Sequence, residues 1–370
     1  MDLLNLSRLQ LFNELYESKK MIYRVLNLSS DVQSMLSISL SPFLSLLCNS
    51  IDDLFSSDEN KISDNFEEIM GIKVSKLISQ NRASVKLLTD KKISKATSII
   101  GKQLETFNRE LQSDYSFIQK AYVDIFGQPD LGVYFYTNIP FANTSQLSIY
   151  NDALKNLNAD TNQLGPLIKK FSEYQAALIN SVLSPIEGKT WDKIEKSNCI
   201  ADISQTDFMD KDYIIYNDKK RNIFLNIKDK NHALYLFNMQ CQLNFASKII
   251  PKIILDNSLG YRIEMIIYYH SVKSIDFIYR KKRNMFASKY FSKIEGIIDQ
   301  SNKLFLNNNL RSNLYHHNLS EDNKNMEISS NIFASMVEFQ TRENFTFVMD
   351  TVRKETLKLI NLLNELLLDS

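Results

Sequence analysis

YRIEMIIYYHSVKSIDFIYR, residues 261–280, is the stretch on which the fold turns. Apolar side chains recur along it at helical spacing, and its polar stripe reduces to Arg262, Lys273, Asp276 and Arg280. Apolar side chains therefore cover most of the circumference. A helix of this kind belongs at the centre of a bundle.

The flanking segments supply the partners. FASKYFSKIEGIIDQSNKLF brings Phe286, Tyr290, Ile294, Ile297 and Leu304 to one face, and the last segment places Phe345, Val348, Val352, Leu359, Leu363 and Leu366 at nearly heptad spacing. Both patterns suit packing against a central helix. Towards the N-terminus, FNELYESKKMIYRVLNL, FEEIMGIKVSKLI and KLLTDKKISKATSIIGKQLETFNRELQ repeat the helical period, with Asp31 and Ser63 at expected N-caps.

Breaks in this pattern predict the organisation. GQPDLGVYFYTNIP, residues 127–140, clusters glycine and proline and reads as an interruption; Tyr134 to Tyr136 within it are expected in the core rather than as a base-stacking platform. Helical patterning resumes over 148–183, interrupted at Gly165-Pro166. DYIIYNDKKRNIFLNIK, residues 212–228, then presents two β-prone runs separated by polar residues and reads as a hairpin. The expected architecture is mostly α, helical bundles with a small β-hairpin. Its expected parts are an N-terminal helical region (1–126), a helical and hairpin connection (127–230) and a C-terminal up-and-down bundle (231–370).

Composition bounds the function. The chain has 370 residues, 44% of them hydrophobic and 24% charged, enough for a sizeable core, and its 8 Gly and 6 Pro leave long helices uninterrupted. With 44 basic and 43 acidic side chains the net charge is +1, so any contact with nucleic acid must be local. Cys48, Cys199 and Cys241 are far apart and form no C-x-x-C pair, which fits a reduced, cytoplasmic compartment. MDLLNLSRLQLF lacks the layout of a signal peptide, and the most apolar run, MLSISLSPFLSLLC (35–48), reads as too short to cross a bilayer. No membrane role is expected.

One segment departs from this pattern. NNNLRSNLYHHNLSEDN, residues 307–323, is highly polar, and two of the chain's 4 histidines stand side by side in it, five and six residues after an arginine. The three asparagines are expected to end the preceding helix, because their side chains compete for backbone hydrogen bonds. An imidazole takes a proton from the 2′-hydroxyl of RNA or gives one to the leaving 5′-oxygen, and a guanidinium forks onto the phosphate oxygens as charge develops. On an ideal helix Arg311 and His316 are rotated by about 140° from one another, so they converge only at a helix end or across two subunits. A helix N-terminus at that point would add anion-binding amides.

Leu310-Arg311-Ser312-Asn313-Leu314-Tyr315-His316 resembles the R-x4-6-H motif of the HEPN superfamily, helical bundles with the motif near a helix junction. The resemblance covers residues 231–370. It implies a metal-independent endoribonuclease that pairs two motifs in a homodimer, of the kind found as toxins and anti-phage abortive-infection effectors. Arg311 and His316 are then the catalytic candidates; His317, which also satisfies the spacing, is the second, and Ser312 and Asn313 are secondary. Ser312 stands where Asn, Asp or His is more usual. RNA is the implied substrate, with a regulatory or antitoxin protein as a possible partner, and no cofactor or metal. The alternative is a noncatalytic helical adaptor that binds a nucleotide or a partner protein.

Other motifs carry less. Gly188-Lys189-Thr190 lacks the first glycine of a phosphate loop and reads as a turn. His270 reads as a core histidine, with a polar role for it or Glu264 as the minor alternative. His316 and His317 lack zinc-ligand spacing. The run Arg280-Lys281-Lys282-Arg283 reads as a solvated helix end, or as a guide for RNA.

Overall fold

The computed structural model describes residues 2–55, 66–89, 100, 102, 115–126, 130–147, 164–189, 191–215, 224, 227–255, 257–305, 308–328 and 331–367. The chain is mostly helical, with one small antiparallel sheet. Its first helices are α1 (Leu3–Leu26), α2 (Ser30–Phe55), α3 (Val74–Thr89) and α4 (Phe117–Phe126). Strands β1 (Leu131–Tyr136) and β2 (Ile139–Asn143) follow, then α5 (Thr144–Leu147), α6 (Leu164–Leu183) and β3 (Phe208–Tyr213). The C-terminal part holds α7 (Lys230–Asn244), α8 (Ile250–Ile253), α9 (Ser258–Lys281), α10 (Phe291–Leu304), α11 (Asn308–Tyr315), α12 (Ile332–Thr341) and α13 (Phe345–Leu367).

Helix α9, which contains the 261–280 stretch, is the central one: it packs against α1, α3, α7, α10, α11 and α13. Asn257 caps it by accepting the N–H of Gly260 at 3.1 Å. Nearly every side chain from Leu259 to Tyr279 is buried. Arg262 is among them, which corrects its place in a polar stripe; only Lys273, Asp276 and Arg280 keep to the outer face. His270 is buried, as expected, and Glu264 forms an ion pair with Arg353 at 2.7 Å.

Helix α2 revises another expectation. The apolar run at 35–48 lies inside a 26-residue helix that is long and apolar enough to cross a membrane, yet 83% of its most apolar window is buried within the chain. Its serines have internal partners: Ser39 Oγ donates to the carbonyl of Phe141 at 3.1 Å and Ser41 Oγ to Gln175 Oε1 at 3.2 Å. The apolar character is thus used in packing against α1, α3 and α6. Asp31 sits in the first turn of α2, where a carboxylate favours the helix dipole, and Ser63 lies outside the described residues.

The sheet has the order β2-β1-β3, all antiparallel. The hairpin is β1–β2, which starts inside the segment read as a break and runs three residues past it, and its two-residue loop holds Thr137 and Asn138 at φ of 47° and 67°. Pro140 is tolerated because β2 is an edge strand. Of the hairpin expected at 212–228, Asp212 and Tyr213 instead belong to β3, which pairs with β1, and residues 216–223 lie outside the described residues. Gly165-Pro166 falls in the first turn of α6 rather than interrupting a helix, and 148–163 lie outside the described residues.

Candidate functional site

The polar segment around the two histidines is itself helical. Leu310 and Leu314, four apart, are both fully buried, and this pair seats α11 against α9 and α12. Asn308 and Asn309 therefore begin this helix instead of ending the preceding one, which stops at Leu304; Asn307 lies outside the described residues. Asn309 Nδ2 donates to Asp322 Oδ2 at 2.8 Å.

At the other end α11 stops at Tyr315. The N–H of His316 still reaches the carbonyl of Ser312 at 2.9 Å, but the carbonyls of Asn313 and Leu314 have run out of intrahelical donors. Arg262 fills that role, its Nη1 donating to both at 2.6 and 2.8 Å. The cation also meets the negative end of the helix dipole. Helix α11 thus offers its carboxyl end, not an amide-rich N-terminus, at the histidines.

The remaining donors of Arg262 grip Glu14 of α1. Nε lies 3.0 and 2.8 Å from the two carboxylate oxygens and Nη2 lies 3.0 Å from Oε1. His317 completes the cluster, with Nε2 2.9 Å from Glu14 Oε2 and Nδ1 2.8 Å from Ser50 Oγ. Glu14, Arg262 and His317 are each 2% exposed or less. Burial alone would raise the Glu14 carboxyl, but the Arg262 and His317 neighbours outweigh it and hold it at about 2. Burial, then Arg262, push the His317 ring below its ordinary range against the pull of Glu14. At neutral pH the ring is therefore uncharged, and the guanidinium is the charge that keeps Glu14 ionised. A carboxylate only accepts, so Nε2 carries the proton and Nδ1 accepts from the Ser50 hydroxyl.

His316 faces the opposite way, into a solvent-open cavity of about 330 Å³. Arg311, Ser312, Tyr315 and His316 form one wall; Leu46, Asn49 and Asp53 of α2, with Arg82 and Val85 of α3, form the other. The end of α11 resolves the 140° offset, because His316 lies one residue beyond the helix. His316 Nδ1 lies 3.9 Å from Asp53 Oδ2, and both side chains are about half exposed. The Arg311 guanidinium lies 5.9 Å from the Tyr315 ring centroid and has no carboxylate partner among the described residues. Burial pushes the Tyr315 hydroxyl up, with Arg311 pulling it down, so Tyr315 stays protonated at neutral pH.

The structure thus gathers Arg311, Ser312 and His316 into one cavity and separates His317 and Asn313 from it. Asn313 is buried, its Nδ2 3.4 Å from Asn323 Oδ1. Sequence reasoning missed the wall formed by α2 and α3. Asp53 and Arg82 stand more than two hundred residues from Arg311, and no local pattern ties them to it. Elsewhere, Gly188 has φ 78° and sits in a turn closed by its N–H to the carbonyl of Trp191 at 2.8 Å, as expected; Thr190 lies outside the described residues. Among the described residues no three His, Cys, Asp or Glu side chains group as metal ligands. Comparison with known proteins finds no matching family model, no matching curated protein and no matching solved structure.

Proposed function

We propose that this chain is a metal-independent endoribonuclease of HEPN type, with Arg311 and His316 as its catalytic pair. The observation that carries the proposal is that these two side chains line one open cavity, the guanidinium having no carboxylate partner among the described residues. The R-x4-H spacing and the helical surroundings support the same reading.

In this mechanism the His316 imidazole takes the 2′-hydroxyl proton as the 2′-oxygen attacks phosphorus. A P–O2′ bond forms and the P–O5′ bond breaks, leaving a 2′,3′-cyclic phosphate and a 5′-hydroxyl. Arg311 holds the nonbridging oxygens while negative charge builds on them. The departing 5′-oxygen takes its proton from an imidazolium. One motif per chain assigns that acid to His316 of a second copy, so the active form is a homodimer. A role as toxin or abortive-infection effector in the cytoplasm, restrained by a regulatory or antitoxin protein, follows the HEPN reading.

The test is incubation of the purified chain with total RNA in excess chelator. Fragments ending in 2′,3′-cyclic phosphate are expected. Arg311→Ala and His316→Ala are each expected to lower the rate by at least about a hundredfold. RNA left intact by folded dimeric protein would overturn the reading and favour a noncatalytic helical adaptor.

A further inference from the structure

The wall opposite Arg311 and His316 carries a second guanidinium. Arg82 projects from α3 into the same cavity, with its side chain two-thirds exposed. Among the described residues its carboxylate contact is Asp52, at 3.5 Å, a long and solvent-screened pair that a phosphate can displace at little cost. Asp53, the carboxylate that lines the cavity, is directed at the His316 ring. A guanidinium offers five N–H donors in a fixed fork suited to phosphate oxygens, and two such forks stand on facing walls here.

The other basic candidate is poorly placed. Lys281 and Lys282 lie at the far end of α9 from Arg262, a helical distance on the order of 28 Å. Arg283 and Arg280 are already paired, with Glu295 at 3.3 Å and Asp276 at 2.6 Å. Arg262, at the opposite end of α9, is the residue that holds the end of α11, so that run stands well away from the histidines.

We propose that Arg82 is a substrate-binding residue that holds the phosphate next to the scissile one, so that single-stranded RNA lies across the seam between α3 and α11. The proposal rests on the reading of this cavity as an RNA site. It assigns the N-terminal helices a direct part in binding substrate, where the motif alone places the site wholly in the C-terminal bundle.

Binding tests this without turnover. The probe is a mixed-sequence 2′-O-methyl RNA of about eight nucleotides, which has no attacking hydroxyl and falls within the site sizes of single-strand binders. Its affinity for the full-length chain is followed by fluorescence anisotropy from low to moderate salt. Arg82→Gln is expected to weaken binding roughly fivefold and to reduce the slope of log affinity against log salt by about 0.7, one phosphate contact on a single strand. Arg82→Lys keeps the charge and is expected to recover the slope but not all of the affinity. Lys281→Gln with Lys282→Gln is expected to stay within about twofold of the parent. Unchanged affinity and slope in folded Arg82→Gln would overturn the proposal, as would failure of the parent to bind the probe. Arg82-dependent binding without RNA cleavage would sink the ribonuclease reading and leave Arg82 as a phosphate-binding residue of a noncatalytic RNA site.

Discussion

His316 and His317 are neighbours in sequence and opposites in environment. His317 is sealed among Glu14, Ser50 and Arg262, where both ring nitrogens are bonded; His316 stands about half exposed over a cavity. The buried side is a clamp that joins α1, α2, α9 and the end of α11. The open side has cations with weak partners or none among the described residues. The contrast separates groups that fix a backbone from groups left available to a ligand. It also explains how a short polar helix holds a catalytic candidate in place: Arg262 ties down its last carbonyls, and His317 anchors the residue after His316.

If that division of labour is right, the largest loss of stability comes from the clamp. Arg262→Met leaves the Glu14 carboxylate buried without its counter-charge and removes the cap on the carbonyls of Asn313 and Leu314. A loss of about 3–5 kcal/mol is expected on chemical denaturation. Replacing Glu14 as well, as Glu14→Gln with Arg262→Met, is expected to cost less than the sum of the single changes, since each single variant leaves an isolated buried charge and the double variant leaves none. Strict additivity would show that the two residues act separately and that no clamp exists.

His317→Ala comes next. It strips a donor from a buried carboxylate and an acceptor from Ser50, and about 1–3 kcal/mol is expected. His317→Gln, which keeps one polar group in place, should recover part of it. Equal stability of His317→Ala and the parent would put the two histidines in the same class and erase the comparison.

The sequence made one side of this contrast partly readable. The R-x4-H spacing marked Arg311 and His316, and the apolar circumference of 261–280 marked the central helix, because both are patterns local in the chain. Arg262 was misread for the same reason. Its partner Glu14 lies 248 residues away, and without that partner an arginine at the start of a helix reads as an outer-face residue. The spacing rule also left His317 level with His316, since it counts residues and knows nothing of the Glu14 acceptor. The β1–β2 hairpin escaped notice because its turn uses Thr137 and Asn138 rather than Asn-Gly, and Pro140 argued against a strand whose edge position was not visible.

The buried side also makes stability depend on pH. The His317 ring is lowered in the folded chain from an ordinary value near 6.5. Below that value the unfolded chain binds a proton that the folded chain refuses, so stability is fully present above about pH 6.5 and declines as the pH falls from there. Glu14, held at about 2 against an ordinary 4.5, contributes above 4.5 and loses its contribution as the pH falls towards 2. Denaturation midpoints measured from pH 7.5 to 5 should therefore fall in the parent and flatten in His317→Gln. An identical slope in both would mean that His317 is not the group responsible.

The smallest expected effect is that of His316→Ala on stability. Its ion-pair partner Asp53 is 3.9 Å away, beyond hydrogen-bond range, and both groups are hydrated, so the attraction is screened and offset by the entropy of holding two side chains in register. A change within about 0.5 kcal/mol is expected, close to that of other surface substitutions. The same variant is expected to abolish RNA cleavage, and the pairing of a large catalytic loss with a negligible thermodynamic one is what distinguishes an available side chain from a structural one. A loss above about 1 kcal/mol in His316→Ala would place that ring, too, inside the framework, and its half-exposed position over the cavity would then no longer argue for chemistry.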